Sequence, residues 1–151
     1  MSAPVSSGQS QARVSRVYLV AALFSLIGLA DAIYLTVQDL TGQNLRCTIV
    51  SGCAEVLGSA YAHLGPFPLA ALGAVAYFTV FSLAILAAFG YRFAGPLLAG
   101  LVGIMFLMSL WLLYLQAFVI HHFCQYCLLS AAVTTVVTAI VWASRIVKRH
   151  S

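Results

Sequence analysis

Residues 123–144 read FCQYCLLSAAVTTVVTAIVWAS, a run that contains no charged side chain and begins with two closely spaced cysteines. A helix needs about 20 mostly apolar residues to cross the ~30 Å hydrocarbon core of a bilayer. Because lipid offers no hydrogen-bond partners, a backbone that crosses it must satisfy its own polar groups as a helix. We therefore predict a transmembrane helix with a Cys-x-x-Cys motif at one end.

Three further runs have a similar length, and Asp31 within residues 17–37 is the one charged side chain in them. Together the four runs occupy most of the chain. The 151 residues are 63% hydrophobic and 7% charged, whereas soluble domains are about 45–50% apolar and about 25% charged. We predict an all-α integral membrane protein, a four-transmembrane-helix bundle embedded in membrane lipid. The predicted spans are residues 17–37, 67–90, 94–119 and 123–146.

The segments outside the predicted membrane domain, residues 17–147, are short. Residues 1–16 are rich in Ser and Gln and lack large apolar side chains, so we predict a disordered cytoplasmic tail. Residues 148–151 form a second cytoplasmic tail. Ala30-Asp31-Ala32 also resembles the cleavage site of a signal peptide, and this alternative stays open, although the apolar run continues to Val37 and favours a span.

The basic residues predict the orientation. Six of the seven Lys and Arg residues fall on one side of the predicted spans, and only Arg46 falls on the other. By the positive-inside rule, both termini are cytoplasmic, and the loop of residues 38–66 and the turn at His121 and His122 lie outside. We expect a bacterial inner membrane location. The basic side chains do not cluster into a nucleic-acid patch, so no nucleic acid is expected as a partner.

This topology places all four cysteines on the outer face, where disulfides persist. Cys47 and Cys53 lie in the first outer loop, and Cys124 and Cys127 lie where the last span begins. A helix N-terminus lowers the pKa of a nearby thiol, and Cys124 is best placed for that effect. We interpret the CxxC as the pair facing a membrane quinone and the loop pair as facing a soluble protein. Four cysteines allow three full pairings, and the sequence leaves the pairing open.

The first outer loop has an apolar stripe of its own. Its members, spaced approximately as on one face of a helix, are Val56, Leu57, Ala60, Tyr61 and Leu64. We predict a short amphipathic helix on the membrane surface, ended by Gly65-Pro66-Phe67-Pro68. Such a helix is suited to cover a pocket between the ends of the spans.

These features together resemble the vitamin K epoxide reductase family, in particular its bacterial stand-alone members, over roughly residues 17–147. The resemblance implies a four-helix bundle around a quinone and a lid that carries Ser59. The matching motifs are Tyr34-Leu35-Thr36, Cys47-x5-Cys53, Val56-Leu57-x-Ser59, Gly73-x3-Tyr77 and Cys124-x2-Cys127.

The resemblance also implies a role for each matched residue. A separate periplasmic DsbA- or thioredoxin-like partner reduces the Cys47/Cys53 pair, and Cys53 then attacks Cys124. This frees Cys127 to reduce ubiquinone or menaquinone, while Ser59 supports the quinone side by hydrogen bonding. The chain departs from the animal enzymes in one respect that disfavours epoxide reduction. Leu69 and Ala131 stand where the resemblance predicts an Asn and a Tyr.

The remaining polar residues leave alternatives open. Asp31, His63, His121 and His122 are candidates for a proton relay or for the pocket wall, although interfacial residues without a role have the same pattern. A different hypothesis makes Cys124, Cys127 and His121/His122 a Zn²⁺ or Cu(I) site of a metal-binding or transport protein. The oxidoreductase hypothesis predicts no bound metal.

Overall fold

The computed structural model describes residues 5–43, 47–49 and 51–150, and within this part of the chain it is a helical bundle. The helices are α1 (Val5–Leu40), α2 (Cys53–Leu57), α3 (Leu69–Ala88), α4 (Ala94–Tyr114) and α5 (Gln125–His150). A 3₁₀ turn (Ala60–Ala62) and the short strands β1 (His63–Leu64) and β2 (Phe67–Pro68) separate α2 from α3. A wider π-helical segment, Leu115–Ile120, continues α4.

Four helical stretches in the described residues are long and apolar enough to cross a membrane. The prediction of an all-α membrane bundle is therefore confirmed, and the protein is a multi-pass membrane protein. The stretches are Gly8–Leu40, Leu69–Ala88, Ala94–Ile120 and Gln125–His150.

The ends of the chain differ from the prediction. Residues 5–16, which we predicted to be disordered, form the first turns of α1, and α5 continues to His150. Extending an existing helix adds one hydrogen bond per residue without a new nucleation step, so a polar segment attached to a long span readily becomes helical. Residues 1–4, Arg46 and residue 151 lie outside the described residues.

The four long helices form a ring, in which α1 packs along both α3 and α5, while α4 packs against α5 and α3. Small residues such as Ala21, Ala22 and Ala84 are buried at these contacts. Helices in lipid have little hydrophobic drive to associate, so close backbone approach through small residues is a main source of stability. Larger apolar residues, among them Leu23 and Phe78, face outward.

Gly28 on α1 permits the closest of these contacts. A Cβ atom at this position would lie well inside van der Waals contact with the Tyr77 ring of α3. The Tyr77 hydroxyl in turn bonds to α5, at 2.8 Å from the Ser130 carbonyl and 2.7 Å from Thr134 Oγ1. Tyr77 therefore joins α1, α3 and α5, and its ring cannot shift without loss of these bonds.

The outer loop is only partly the amphipathic helix that we predicted. Helix α2 ends at Leu57, and Ser59 is extended before the 3₁₀ turn begins. Strands β1 and β2 then pair antiparallel, with Leu64 opposite Phe67. The turn between them uses Gly65 at a φ of +65°, a conformation that glycine adopts without steric cost. We refer to residues 47–49 and 51–68 together as the flap.

Substitution of Gly28 by Ala should destabilise the bundle, because the added methyl group displaces the Tyr77 ring from its hydrogen bonds. Overpacking of this kind typically costs about 1–3 kcal/mol. Thermal unfolding in mild detergent measures the change as a lowered Tm. Gly100→Ala is the matched control, since a Cβ at Gly100 meets no atom within 4 Å. Equal melting of Gly28→Ala and the wild type would contradict this packing argument.

Candidate dithiol site and quinone cavity

The four cysteines meet in one buried cluster at the flap end of the bundle. Cys47 and Cys53 form a disulfide, with their Cα atoms 5.9 Å apart, while Cys124 and Cys127 are free thiols. Cys53 is 1% exposed and Cys124 is 0% exposed, and both belong to a single cluster against which Cys47 and Cys127 pack. The structure thus brings a disulfide and a dithiol together, as thiol–disulfide exchange requires.

Two contacts seat the flap on the turn before α5. The backbone N–H of Ile49 donates to Gln125 Oε1 at 2.9 Å, and Gln125 is one of the two residues between the CxxC cysteines. Gly52 approaches the same turn so closely that a Cβ would lie 2.5 Å from the Phe123 carbonyl oxygen and 2.8 Å from its nitrogen. The absence of a side chain at Gly52 therefore allows Cys53 to reach the CxxC.

The π-helical segment supplies a further polar contact to this turn. Gln116 is 2% exposed, and its Oε1 accepts a hydrogen bond of 3.0 Å from the backbone N–H of Cys124. Neither Gln116 nor Gln125 was predicted from the sequence as a site residue. The sequence does indicate a role for Gln116, because a polar side chain inside an otherwise apolar span requires a hydrogen-bond partner.

Cys124 lies outside the four spans, and its surroundings favour the thiolate. The Cys127 thiol and the backbone N–H groups of Cys127 and Tyr126 donate hydrogen bonds to its sulfur. Despite the opposing effect of burial, these bonds lower the pKa of Cys124 from 9.0 to about 7. Our expectation that the start of the last span favours ionisation of this thiol agrees with the lowered pKa. Near neutral pH, Cys124 is thus a substantial fraction thiolate.

A cavity of about 430 Å³ lies beneath the flap between the four long helices. Its volume falls in the range of ordinary small-molecule sites, about 300–1,000 Å³, and its walls are mainly apolar. Cys127 lines this cavity, whereas Cys124 does not. The CxxC therefore has one sulfur toward the cavity and one toward the flap disulfide.

The other predicted pocket residues fall into two groups. Asp31, Ser59, Leu69 and Ala131 line the cavity, and the Ser59 hydroxyl donates to the Val56 carbonyl at 2.7 Å. None of the three outer histidines lines it in the part of the chain that the structure describes. His63 instead contacts Asp39 at 3.1 Å, and His121 and His122 are exposed.

The described residues also give the metal hypothesis no support. Among them, no three His, Cys, Asp or Glu side chains come together as ligands of one ion. His121 and His122 therefore do not combine with Cys124 and Cys127 into a metal site in this arrangement.

A disulfide packed on a dithiol, above an apolar cavity in a four-span bundle, defines a membrane-embedded thiol–disulfide oxidoreductase. A model of the vitamin K epoxide reductase family matches residues 19–142, which is most of the chain. The protein belongs to the vitamin K epoxide reductase family, and the resemblance that we stated from the motifs is confirmed. Members of this family use a quinone as the electron acceptor.

The lowered pKa of Cys124 predicts when its thiolate forms. Because the value is about 7 instead of 9.0, the anion should appear as the pH rises through 7, about two units earlier than for a free thiol. Thiolate absorbance near 240 nm, followed with the flap disulfide intact, measures this midpoint. Cys127→Ala should raise the midpoint, since the strongest hydrogen bond to the thiolate is lost. A Cys124→Ser variant that keeps the transition would contradict the assignment.

Substitution of Gly52 by Ala should lift the flap from the turn at Phe123. A strain of about 1–3 kcal/mol corresponds to roughly 5- to 150-fold more opening. Maleimide labelling of Cys124 and Cys127, quantified by mass spectrometry, should accelerate by such a factor. Ser51→Ala changes the exposed neighbouring residue and serves as the control. Unchanged protection of the thiols in Gly52→Ala would show that the flap does not depend on this close approach.

Proposed function

We propose that the protein is a thiol:quinone oxidoreductase that sustains disulfide bond formation in secreted proteins. Electrons pass from a periplasmic DsbA- or thioredoxin-like partner to Cys47/Cys53, then to Cys124/Cys127, and finally to ubiquinone or menaquinone in the membrane. The observation that carries the proposal is the single buried cluster of all four cysteines, with Cys127 at the wall of an apolar cavity.

The first half of the cycle moves electrons inward by two exchanges. A dithiol partner reduces the Cys47–Cys53 disulfide and leaves with a disulfide of its own. The Cys53 thiolate then attacks Cys124 of the oxidised CxxC, which forms a Cys53–Cys124 bond and releases Cys127 as a thiolate. Cys47 next attacks Cys53 and releases Cys124. The flap disulfide and the CxxC dithiol in the structure are the state that these steps leave behind.

The second half of the cycle reduces the quinone. Two electrons leave the Cys124/Cys127 dithiol as its disulfide forms, and the quinone takes up these electrons and two protons to become a quinol. Cys127 is the sulfur that reacts with the ring, because it lines the cavity while Cys124 does not. Cys124 then resolves the intermediate, a role that suits a thiol whose pKa is near 7. Ser59 lies at the same cavity and supports this half as a hydrogen-bond acceptor for the quinol, because its own proton is donated to the Val56 carbonyl.

We further propose that the flap faces the periplasm and that both termini are cytoplasmic in a bacterial inner membrane. The topology supports this orientation, since α1 ends and α3 begins at the flap. The described basic residues lie at the other ends of the four spans, where the positive-inside rule predicts the cytoplasm. They are Arg13, Arg16, Arg92, Arg145, Lys148 and Arg149.

Cysteine variants test the order of the relay. Cys127→Ser should abolish quinone-dependent reoxidation of the partner, because the remaining thiol has no route to the cavity. Cys53→Ala should instead trap the partner on Cys47 as a mixed disulfide, which non-reducing electrophoresis and mass spectrometry identify. A Cys47→Ala/Cys53→Ala double variant is the control and should trap nothing. Full reoxidation activity in Cys127→Ser would exclude the proposed electron path.

A further inference from the structure

Asp31 has an unusual position on α1, within the span Gly8–Leu40. Its side chain is 8% exposed, it lines the cavity, and its Oδ2 atom is buried without a hydrogen-bond partner. A buried polar atom without a partner costs about 1–3 kcal/mol. An unpaired polar group at a ligand-sized cavity indicates that a ligand satisfies it.

Most other polar groups at the cavity already have partners inside the protein. The Tyr77 hydroxyl bonds to Ser130 and Thr134, and Ser59 donates to the Val56 carbonyl. Gln116 accepts from the Cys124 N–H through its Oε1, and its amide NH₂ group can donate a hydrogen bond but cannot transfer a proton. A quinone brings two carbonyl oxygens into this cavity and must find donors for them. Leu69 and Ala131, at the positions where the family resemblance predicted an Asn and a Tyr, offer none.

We infer that Asp31, as a neutral carboxylic acid, donates a hydrogen bond to one quinone oxygen and transfers its proton to that oxygen during reduction. This inference rests on the proposed function and assigns a catalytic residue to its quinone half. The reaction class is general acid catalysis, in which a positioned proton donor typically contributes about 10²–10⁴-fold to the rate.

The surroundings of Asp31 favour the neutral acid over the carboxylate. An unpaired charge within a span is expensive, and no Lys or Arg ion pair to Asp31 exists among the described residues. The titratable groups that face it from neighbouring elements are Tyr77 on α3, Tyr126 and Cys127 on α5, and Cys124 in the turn. A carboxylate at Asp31 would raise the pKa of Cys124, so a neutral Asp31 also favours the Cys124 thiolate with which the step begins.

The protons and electrons of this step balance. Cys127 passes its proton to the Cys124 thiolate along the hydrogen bond that joins them, and its sulfur bonds to a ring carbon while Asp31 protonates the ring oxygen. The Cys124 sulfur then bonds to the Cys127 sulfur, the bond from Cys127 to the ring breaks, and the electron pair stays on the ring. The proton from Cys124 reaches the second oxygen. The products are a disulfide, a quinol and the Asp31 carboxylate.

This scheme keeps one negative charge at the site throughout. The charge begins on the Cys124 thiolate and ends on the Asp31 carboxylate, so at no stage does the apolar cavity hold two charges. Water from the outer face then reprotonates Asp31 and completes the cycle. A constant charge is favourable in a low-dielectric site, since each additional buried charge is costly in free energy.

Single-turnover reduction of a water-soluble ubiquinone analogue by the reduced protein tests the inference. Asp31→Asn keeps the size and a hydrogen-bond donor but cannot transfer a proton, so the limiting rate should fall by about 100-fold or more, with little change in the half-saturating quinone concentration. Asp31→Leu should raise that concentration as well. Asp31→Glu should recover part of the rate. Ser25→Ala, which alters a buried polar residue of the same helix away from the cavity, should match the wild type.

Quinones of different electron demand distinguish a loss of proton transfer in Asp31→Asn from a structural defect of this variant. An electron-poor benzoquinone needs less protonation in the transition state, so the Asp31→Asn defect should shrink for it and grow for the electron-rich ubiquinone analogue. Equal loss with both quinones, or wild-type rates in Asp31→Asn, would overturn the inference. If the wild-type protein reduces neither quinone while its cysteines still exchange, the proposed function itself fails.

Discussion

The contact between Gly52 and the backbone of Phe123 determines how the site is assembled. Without a side chain at Gly52, the flap settles directly on the turn that carries the CxxC, and Cys53 is buried against Cys124. The hydrogen bond from the Ile49 backbone N–H to Gln125 Oε1 holds the same flap segment on this turn. A covalent exchange between sulfurs requires contact distances, so the geometry of this small interface controls whether electrons can cross from flap to bundle.

The bundle beneath this interface separates two environments within a short distance. Cys124 lies at the start of α5 among hydrogen-bond donors, whereas Cys127 faces an apolar cavity. Helix α1 carries the isolated carboxyl of Asp31 to the same cavity. The two CxxC sulfurs have different surroundings because the motif spans the first turn of a membrane helix. This difference suits a thiol:quinone oxidoreductase, whose two reaction partners are a disulfide and an apolar quinone.

Much of this fold could be predicted from composition and spacing. Long uncharged runs identify spans because lipid leaves the backbone no alternative to a helix, and CxxC at the start of a span predicted a low pKa at Cys124. The contacts of Gln116, Gln125 and Gly52 could not be predicted, since they depend on which turn the loop covers. The helix of residues 5–16 was also not predicted, because the polar composition of these residues does not show that the helix of the adjacent span continues through them.

The two flap cysteines differ in their exposure to dissolved thiols. Cys47 is half-buried, while Cys53 is 1% exposed, so a thiolate from another molecule reaches Cys47 more readily than Cys53. The Cys124 sulfur is buried beneath the closed flap, where a small dissolved thiol does not reach it. A small reductant therefore has to open the flap before it reaches the CxxC, so the closed flap slows any electron transfer that bypasses Cys47.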